Sequence, residues 1–334
     1  MIKRRHKAIA LFSGGLDSLL AVKWMQKLGY QVYPVFFQTP YLPADKARYS
    51  AEQNGIELIV KDVTIEHLHM LKNPRYGFGK NINPCIDCHA LMFKMAGEML
   101  PTLGADFLIS GEVLGQRPMS QRRDALNAVS KTSGFRELMI RPLSQKLLDD
   151  TLPIQQGWVN KEEMLDICGR SRSPQKALVK DLGISYYPQP GGGCLLTDKN
   201  YTIRIKDLLS YDETDIYNIQ LLTLGRHYRL ATGYKLIIGR DERENAALEK
   251  QYQNGLILHT QEQQGPLGIL LGNEPSTEIL RLAASIYLSY CNKSPDEWYV
   301  QYGSKFLLDH RVKVKKAEPA TVMEYMITLG KENL

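Results

Sequence analysis

Two clusters of residue types in this chain are suited to chemistry. The hexapeptide Ser13-Gly14-Gly15-Leu16-Asp17-Ser18 follows a short apolar run and precedes a helical pattern. Such a turn lets the backbone approach an anion closely, converges successive N–H groups on it, and aims the positive end of a helix at it. A glycine pair alone also serves a plain strand-to-helix turn, but the full hexapeptide adds two hydroxyls and a carboxylate. It lacks the Gly-Lys-Ser/Thr of a Walker loop, so it offers no lysine for β and γ phosphates and implies a different nucleotide chemistry. The second cluster is sulfur: Cys85 and Cys88 in Asn83-Pro84-Cys85-Ile86-Asp87-Cys88-His89, and Cys194 directly after Gly191-Gly192-Gly193.

Five cysteines in 334 residues are too few for a disulfide framework, so their close spacing points to metal binding or catalysis. Cys-x-x-Cys-His is the spacing of c-type haem attachment, which nothing else in the sequence supports. A redox pair needs a thioredoxin-like setting that is missing. A structural zinc held by Cys85, Cys88, Cys194 and His89 is open, because Zn2+ takes four such ligands. Cys168 and Cys291 read as small buried hydrophobes, and His67, His69 and His227 as structural or surface residues without a visible partner.

The elements that must position these groups alternate in the manner of βαβ units. Strands are expected at Ala8–Phe12, Val32–Phe37, Glu57–Val63, Asp106–Ser110 and Leu138–Ile140, with helices at Ser18–Leu28, Ala44–Asn54 and Cys88–Leu100. Pro34 argues that the second strand is irregular or at an edge. Right-handed crossovers make the fold class α/β, a doubly wound, mostly parallel sheet. From Lys161 the pattern turns helical through Met164, Leu165 and Ile167, and again through Ala177, Leu178 and Leu182. A boundary near residue 200 separates a first domain, 1–200, from an α+β module, 201–334. That module has strand-like runs at Tyr234–Ile238, Leu256–His259 and Leu267–Leu271 and a helix over about 277–290.

The hexapeptide after a first strand resembles the PP-loop of the adenylating ATPases related to tRNA thiouridine synthases. Gly111-Glu112-Val113-Leu114-Gly115-Gln116 and Arg141-Pro142-Leu143 resemble the corresponding motifs of 4-thiouridine synthetases, with Arg117-Pro118-Met119 intruding before Ser120-Gln121. The resemblance implies ATP cleaved between the α and β phosphates. Pyrophosphate would lie on Ser13, Gly14, Gly15 and Ser18, with Asp17 as partner of Mg2+. Gly111 and Gln116 would border the same site, and the backbone around Phe36 and Phe37 the adenine. The implied reaction is tRNA uridine thiolation: AMP is placed on a base carbonyl oxygen, sulfur attacks the ring carbon, and AMP departs. In 2-thiouridine synthases one essential cysteine follows an Asn-Pro segment and a second comes much later, the places of Cys88 and Cys194. With Cys85 they would hold a 4Fe-4S iron-sulfur cluster by three irons, leaving the fourth for sulfide. The rival in the same family is cluster-free, with a persulfide on Cys194 resolved by Cys88. Either route needs a sulfide or persulfide donor. Arg141, Arg170 and Arg172 are candidates to stabilise developing charge, though Gly169–Pro174 equally reads as a solvated basic turn.

Gly233–Arg240, Glu244-Asn245, Leu256–His259 and the following helix resemble the RNA-associated domain of the NFACT proteins, over about 234–316. Arg311-Val312-Lys313-Val314-Lys315-Lys316 would place basic residues on one strand face, for RNA or simply as a solvated edge. The net charge of +6 is uneven: residues 1–200 carry 26 Lys and Arg against 19 Asp and Glu, and 201–334 carry 16 against 17. A polyanion is therefore attracted chiefly by the first part. After the basic start, only Ala8–Phe12 is continuously apolar, too short for a secretory or membrane segment, so a soluble cytoplasmic protein is expected.

Overall fold

The computed structural model describes residues 6–79, 81–117, 120–189, 193–260, 265–305 and 307–328. Most of the basic start, Pro118 and Met119, and two of the three glycines before Cys194 lie outside the described residues. The chain divides into two units, Met1–Leu195 and Leu196–Leu334.

The first unit runs β1 (Lys7–Leu11), α1 (Leu16–Lys27), β2 (Gln31–Gln38), α2 (Asp45–Gln53), β3 (Ile59–Asp62), α3 (Thr64–Lys72), α4 (Cys85–Glu98), α5 (Leu100–Leu103), β4 (Phe107–Ser110), α6 (Arg123–Ser133), β5 (Met139–Ile140), α7 (Leu152–Gln155) and α8 (Ser173–Asp181). Its five strands are parallel in the order β3-β2-β1-β4-β5. Residues alternate across β1: Ala8 and Ala10 pack with Leu16, Leu20 and Met25 of α1, whereas Ile9 joins Phe93 and Ala96 of α4 and Val129 of α6. Both faces are thus covered, which explains the near-continuous apolar strands and makes the sheet doubly wound, as the sequence led us to expect.

Two local expectations are corrected. Pro34 lies in β2, between β1 and β3, and is not at an edge. It faces Ala10 of β1, while the ladder to β3 begins only at Val35↔Ile59, so the missing N–H falls before that pairing starts. Met164–Ile167 is not helical. Leu165 N and Ile167 N donate to Pro142 O and Leu143 O at 2.8 Å each, so the apolar residues are buried along an irregular path.

The second unit runs α9 (Lys199–Ser210), α10 (Ile216–Leu221), β6 (Arg226–Ala231), β7 (Tyr234–Ile238), α11 (Glu242–Gln251), β8 (Leu256–His259), β9 (Gly268–Leu271), α12 (Thr277–Leu288), β10 (Glu297–Ser304), β11 (Leu307–Lys315) and α13 (Pro319–Tyr325). Asp198, Asp215, Asp241 and Ser276 cap α9, α10, α11 and α12 by accepting first-turn N–H groups, the local reason those helices start there. The sheet is antiparallel, β11-β10-β8-β9-β7-β6. Leu236, Leu258, Leu270 and Val300 pack with Ala283 and Tyr287 of α12, and Ile237 and Ile269 pack with Leu221 of α10 and Leu248 of α11. At the β10–β11 end, Arg311, Lys313 and Lys315 are exposed and pair with Gln301, Tyr299 and Glu297. The Arg311 guanidinium lies 4.8 Å from the centroid of the Tyr299 ring, which is 42% exposed, and Lys313 reaches Glu297 at 3.1 Å. Among the described residues, no helix is long and apolar enough to cross a membrane.

Candidate functional site

Chain crossovers leave β1 in opposite directions, so the gap between β1 and β4 at their C-terminal ends is where an open parallel sheet receives ligands. Both loops there carry expected site residues. After β1, Gly14 takes φ +75°, and a Cβ on it would stand 2.8 Å from Ala47 Cα of α2, so only glycine permits this packing. Ser50 Oγ donates to Gly14 O at 2.7 Å and fixes α2 on the loop. Ser18 Oγ donates to Gly15 O at 2.9 Å and accepts from Ser13 N at 3.3 Å, with Ser13 Oγ also 3.3 Å away. No side chain caps α1 at Gly15. After β4, Gly111 crosses so close to α1 that a Cβ would lie 2.4 Å from the Asp17 carbonyl.

Asp17, in the first turn of α1, joins these loops. Its Oδ2 accepts from Gln116 Nε2 at 2.6 Å and its Oδ1 from Gln175 Nε2 at 3.4 Å, while Gln175 Nε2 also donates to Gln116 Oε1 at 2.7 Å. Arg172 NH2 stands 3.9 Å from Asp17 Oδ2. Phe36 is buried near the end of β2 among Leu42, Ala44 and Ala47. Ser120 and Gln121 are buried, and Gln121 O accepts from Gly115 N at 2.7 Å.

The sulfur residues gather at the start of α4. Cys85 opens the helix with Asn83 Nδ2 3.7 Å from its Sγ, and Cys88 follows one turn on. Asp87 accepts from the Arg75 and Tyr76 N–H groups at 3.1 and 2.9 Å, pinning the preceding loop. Cys194 arrives from the far end of the unit, where Leu195 N donates to Tyr41 O at 2.9 Å. The Tyr41 hydroxyl lies 2.5 Å from His67 Nδ1, and His67 Nε2 lies 3.2 Å from Cys88 Sγ. Burial drives the Cys88 thiol well above its ordinary range, with charge on Cys194, Cys85 and Asp87 pushing the same way. Burial also raises Cys85, against the pull of Arg117, and lowers His67 to about 4, leaving that imidazole neutral. Three thiols are the donors an iron-sulfur cluster takes, yet among the described residues no three His, Cys, Asp or Glu side chains are placed to hold a metal ion.

Glu112, in the loop after β4, is 5% exposed. Its Oε2 accepts from Arg141 Nε and its Oε1 is bonded to His89 Nδ1, both at 2.9 Å. Burial raises its pKa, but Arg141 and His89 win and hold the carboxyl at about 2. Arg141, a candidate for charge stabilisation, is spent here: it also donates to Ser130 Oγ at 3.2 Å and is buried. His89, a possible zinc ligand, is engaged by its Nδ1.

Two further expectations change. His67, read as a residue without a partner, is buried between Tyr41 and Cys88; its partners are 26 and 21 residues away, beyond any local signal. Cys168 is exposed, its backbone bridged to Leu114, whereas Cys291 is buried in the second unit.

Residues 4–146 match the family described as thiamine biosynthesis protein (ThiI), and residues 225–326 match the NFACT protein RNA binding domain. Most of the first unit is thus similar to the ThiI family. The ThiI-type domain contains Asp17, Gln116, Cys85 and Cys88, while Gln175 and Cys194 lie beyond the matched stretch. Among curated proteins, the chain is 23% identical over 241 residues to the tRNA-specific 2-thiouridylase MnmA of Pseudomonas paraeruginosa, covering 67% of this chain and 61% of that protein. It is 31% identical over 121 residues to a probable tRNA sulfurtransferase of Methanosarcina mazei, covering 33% and 29%. It thus spans less than two thirds of the length of either relative. A crystal structure of a 4-thiouridine synthetase–RNA complex with bound ATP aligns at 22% identity over 54% of this chain and 52% of that one, with a TM-score of 0.35, at which the likeness carries no argument.

Proposed function

We propose that this chain is an ATP-dependent tRNA thiolation enzyme. The observation that supports it most is the chain of contacts from Leu195, next to Cys194, through Tyr41 and His67 to Cys88, in the same unit as the ThiI-type loop. A uracil carbonyl oxygen is a poor leaving group. Attack of that oxygen on the α phosphate of ATP expels pyrophosphate and converts it to a good one, bound as AMP. Gly14 and Gly15 N–H groups and the Ser13 and Ser18 hydroxyls take the pyrophosphate, Asp17 is the carboxylate that would hold Mg2+, Gly111 and Gln116 wall the site, and the backbone at Phe36 borders the adenine. The domain's part is to position the reactants and meet developing charge.

Cys85, Cys88 and Cys194 are the sulfur residues. An iron-sulfur cluster held by these three thiols would offer one iron without a protein ligand, a place for incoming sulfide. The His67 contact to Cys88 favours a second, cluster-free reading. There Cys194 carries a persulfide from a donor, and its terminal sulfur attacks the activated carbon as AMP leaves. Cys88, passing its proton to the neighbouring His67 Nε2, then attacks the inner sulfur, releasing thiouridine and leaving a Cys88–Cys194 disulfide for a thiol reductant to reopen. Anaerobic reconstitution with iron and sulfide separates the routes: a visible charge-transfer absorption lost in each Cys→Ala variant supports the cluster, and none supports the persulfide. The activity itself is tested by mass spectrometry of tRNA nucleosides after incubation with ATP, a sulfur donor and unmodified tRNA; no new thiolated uridine refutes the proposal.

For the second unit we propose RNA contact along the exposed β10–β11 face. Arg311, Lys313 and Lys315 meet backbone phosphates, and the open Tyr299 ring takes a base. Since that unit has slightly more acidic than basic residues, this local row must supply the attraction. Tyr299→Ala and Arg311→Ala should each weaken binding of the full chain to a uridine-rich oligonucleotide by about tenfold, and Arg311→Ala should flatten its salt dependence. Unchanged anisotropy titrations would move the RNA site elsewhere.

A further inference from the structure

We propose that the N-terminal turn of α8, with Arg172 and Gln175, is a second phosphate-binding element of the nucleotide site, alongside α1. The inference rests on the thiolation reading above and identifies residues that grip the polyphosphate of an adenine nucleotide.

Three observations carry it. The Ser13–Ser18 loop has no lysine, and the cation the structure pairs with it is Arg172. That pairing is loose: at 3.9 Å from Asp17 Oδ2, with the Arg172 side chain 27% exposed, the guanidinium keeps its donors for a better acceptor. A phosphate offers one, since guanidinium and phosphate can form two parallel charge-assisted bonds. Next, Gln175 is fully buried in the first turn of α8, an uncommon place for an amide. Its Nε2 donates to Gln116 and Asp17, while its buried Oε1 has no partner. A buried acceptor left unsatisfied costs folding free energy, and at a ligand site it marks a place for a donor that arrives with the ligand, a metal-bound water or ribose hydroxyl. Lastly, Leu178, Val179 and Leu182 at the other end of α8 pack onto the core shared with Leu16, Leu19 and Leu20 of α1. Both helices are thereby held with their first turns on one carboxylate. Arg172, the N-cap, makes no side-chain cap bond, and Ser171 Oγ accepts only the Ser173 N–H, at 3.3 Å, so the α8 dipole adds to that of α1 where the anion would lie.

Arg172 thus supplies the positive charge that other phosphate loops take from their own lysine, from a segment more than 150 residues later. Gln175 and Gln116 are positioning residues that hold Asp17 toward the loop. The test is calorimetric titration of the full chain, in Mg2+ buffer, with inorganic pyrophosphate and with α,β-methylene ATP. Arg172→Ala should bind both roughly ten- to a hundred-fold more weakly, as expected for a lost charge-assisted bond, and Arg172→Lys should recover part of the loss. Lys176→Ala removes the same charge from an exposed position one turn along and should bind both probes like the wild type. If Arg172→Ala binds pyrophosphate as tightly as wild type, the α8 element is wrong and the thiolation reading stands. If the wild-type protein binds neither probe, both fall.

Discussion

Replacing Cys88 or Cys194 with alanine should abolish sulfur insertion, by about 1000-fold or more, while leaving pyrophosphate release from ATP with bound tRNA close to wild type. The split follows from geometry: the thiols sit at the head of α4 and on the segment bonded to Tyr41, whereas the phosphate loop is built from Gly14, Ser18 and Asp17, with its own contacts to α2, Gln116 and Gln175. Residues that act as one unit lose nearly all activity when any member is removed, so the double variant should be no worse than either single one. Thiolated nucleosides are read by mass spectrometry and pyrophosphate by a coupled assay. Cys85→Ala adds a discriminating arm, since it silences a cluster route and leaves a two-cysteine relay largely intact. Equal loss of pyrophosphate release in the Cys88 variant would mean that the thiols serve the nucleotide site.

Glu112→Ala should be strongly destabilising. It leaves the Arg141 guanidinium buried without its carboxylate and removes the partner that orients His89, and breaking one side of such a buried pair costs about 3–5 kcal/mol. Denaturant unfolding measures it. The same carboxylate sets an acid limit. Its folded pKa is held at about 2, below the ordinary value of 4.5, so the unfolded chain takes up the proton first as pH falls. The stabilisation is fully present above about 4.5 and is lost progressively toward pH 2, amounting to about 3 kcal/mol. In Glu112→Gln this part of the pH dependence should vanish. A Gln variant whose stability falls as steeply as wild type between pH 4.5 and 2 would show that other carboxylates govern acid unfolding.

The readable parts of the site were those whose chemistry is local. Ser13–Ser18 lies between one strand and one helix, so glycines, hydroxyls and carboxylate fall in a single window, and the strands β1 and β4 are apolar because both sheet faces are covered. What escaped notice is non-local. Gln175 meets Asp17 across 158 residues and looks in the sequence like an ordinary polar residue at a helix start. His67 gains its role only when Tyr41 and Cys88 fold against it. Arg141 was legible as a site residue but its burial against Glu112 was not, and that burial turns a candidate for charge stabilisation into part of the frame. Met164–Ile167 shows the limit of periodicity: apolar residues spaced for a helix bury equally well along an extended path when its N–H groups find Pro142 and Leu143.

The Asp17 carboxylate takes its partners from positions 99 and 158 residues downstream. During synthesis, the Ser13–Ser18 loop leaves the ribosome early, but its acid lacks the second amide until residue 175 has emerged. A nascent chain, or one truncated before α8, therefore displays the signature hexapeptide without the arrangement that gives it grip, and nucleotide capture becomes a late event in maturation.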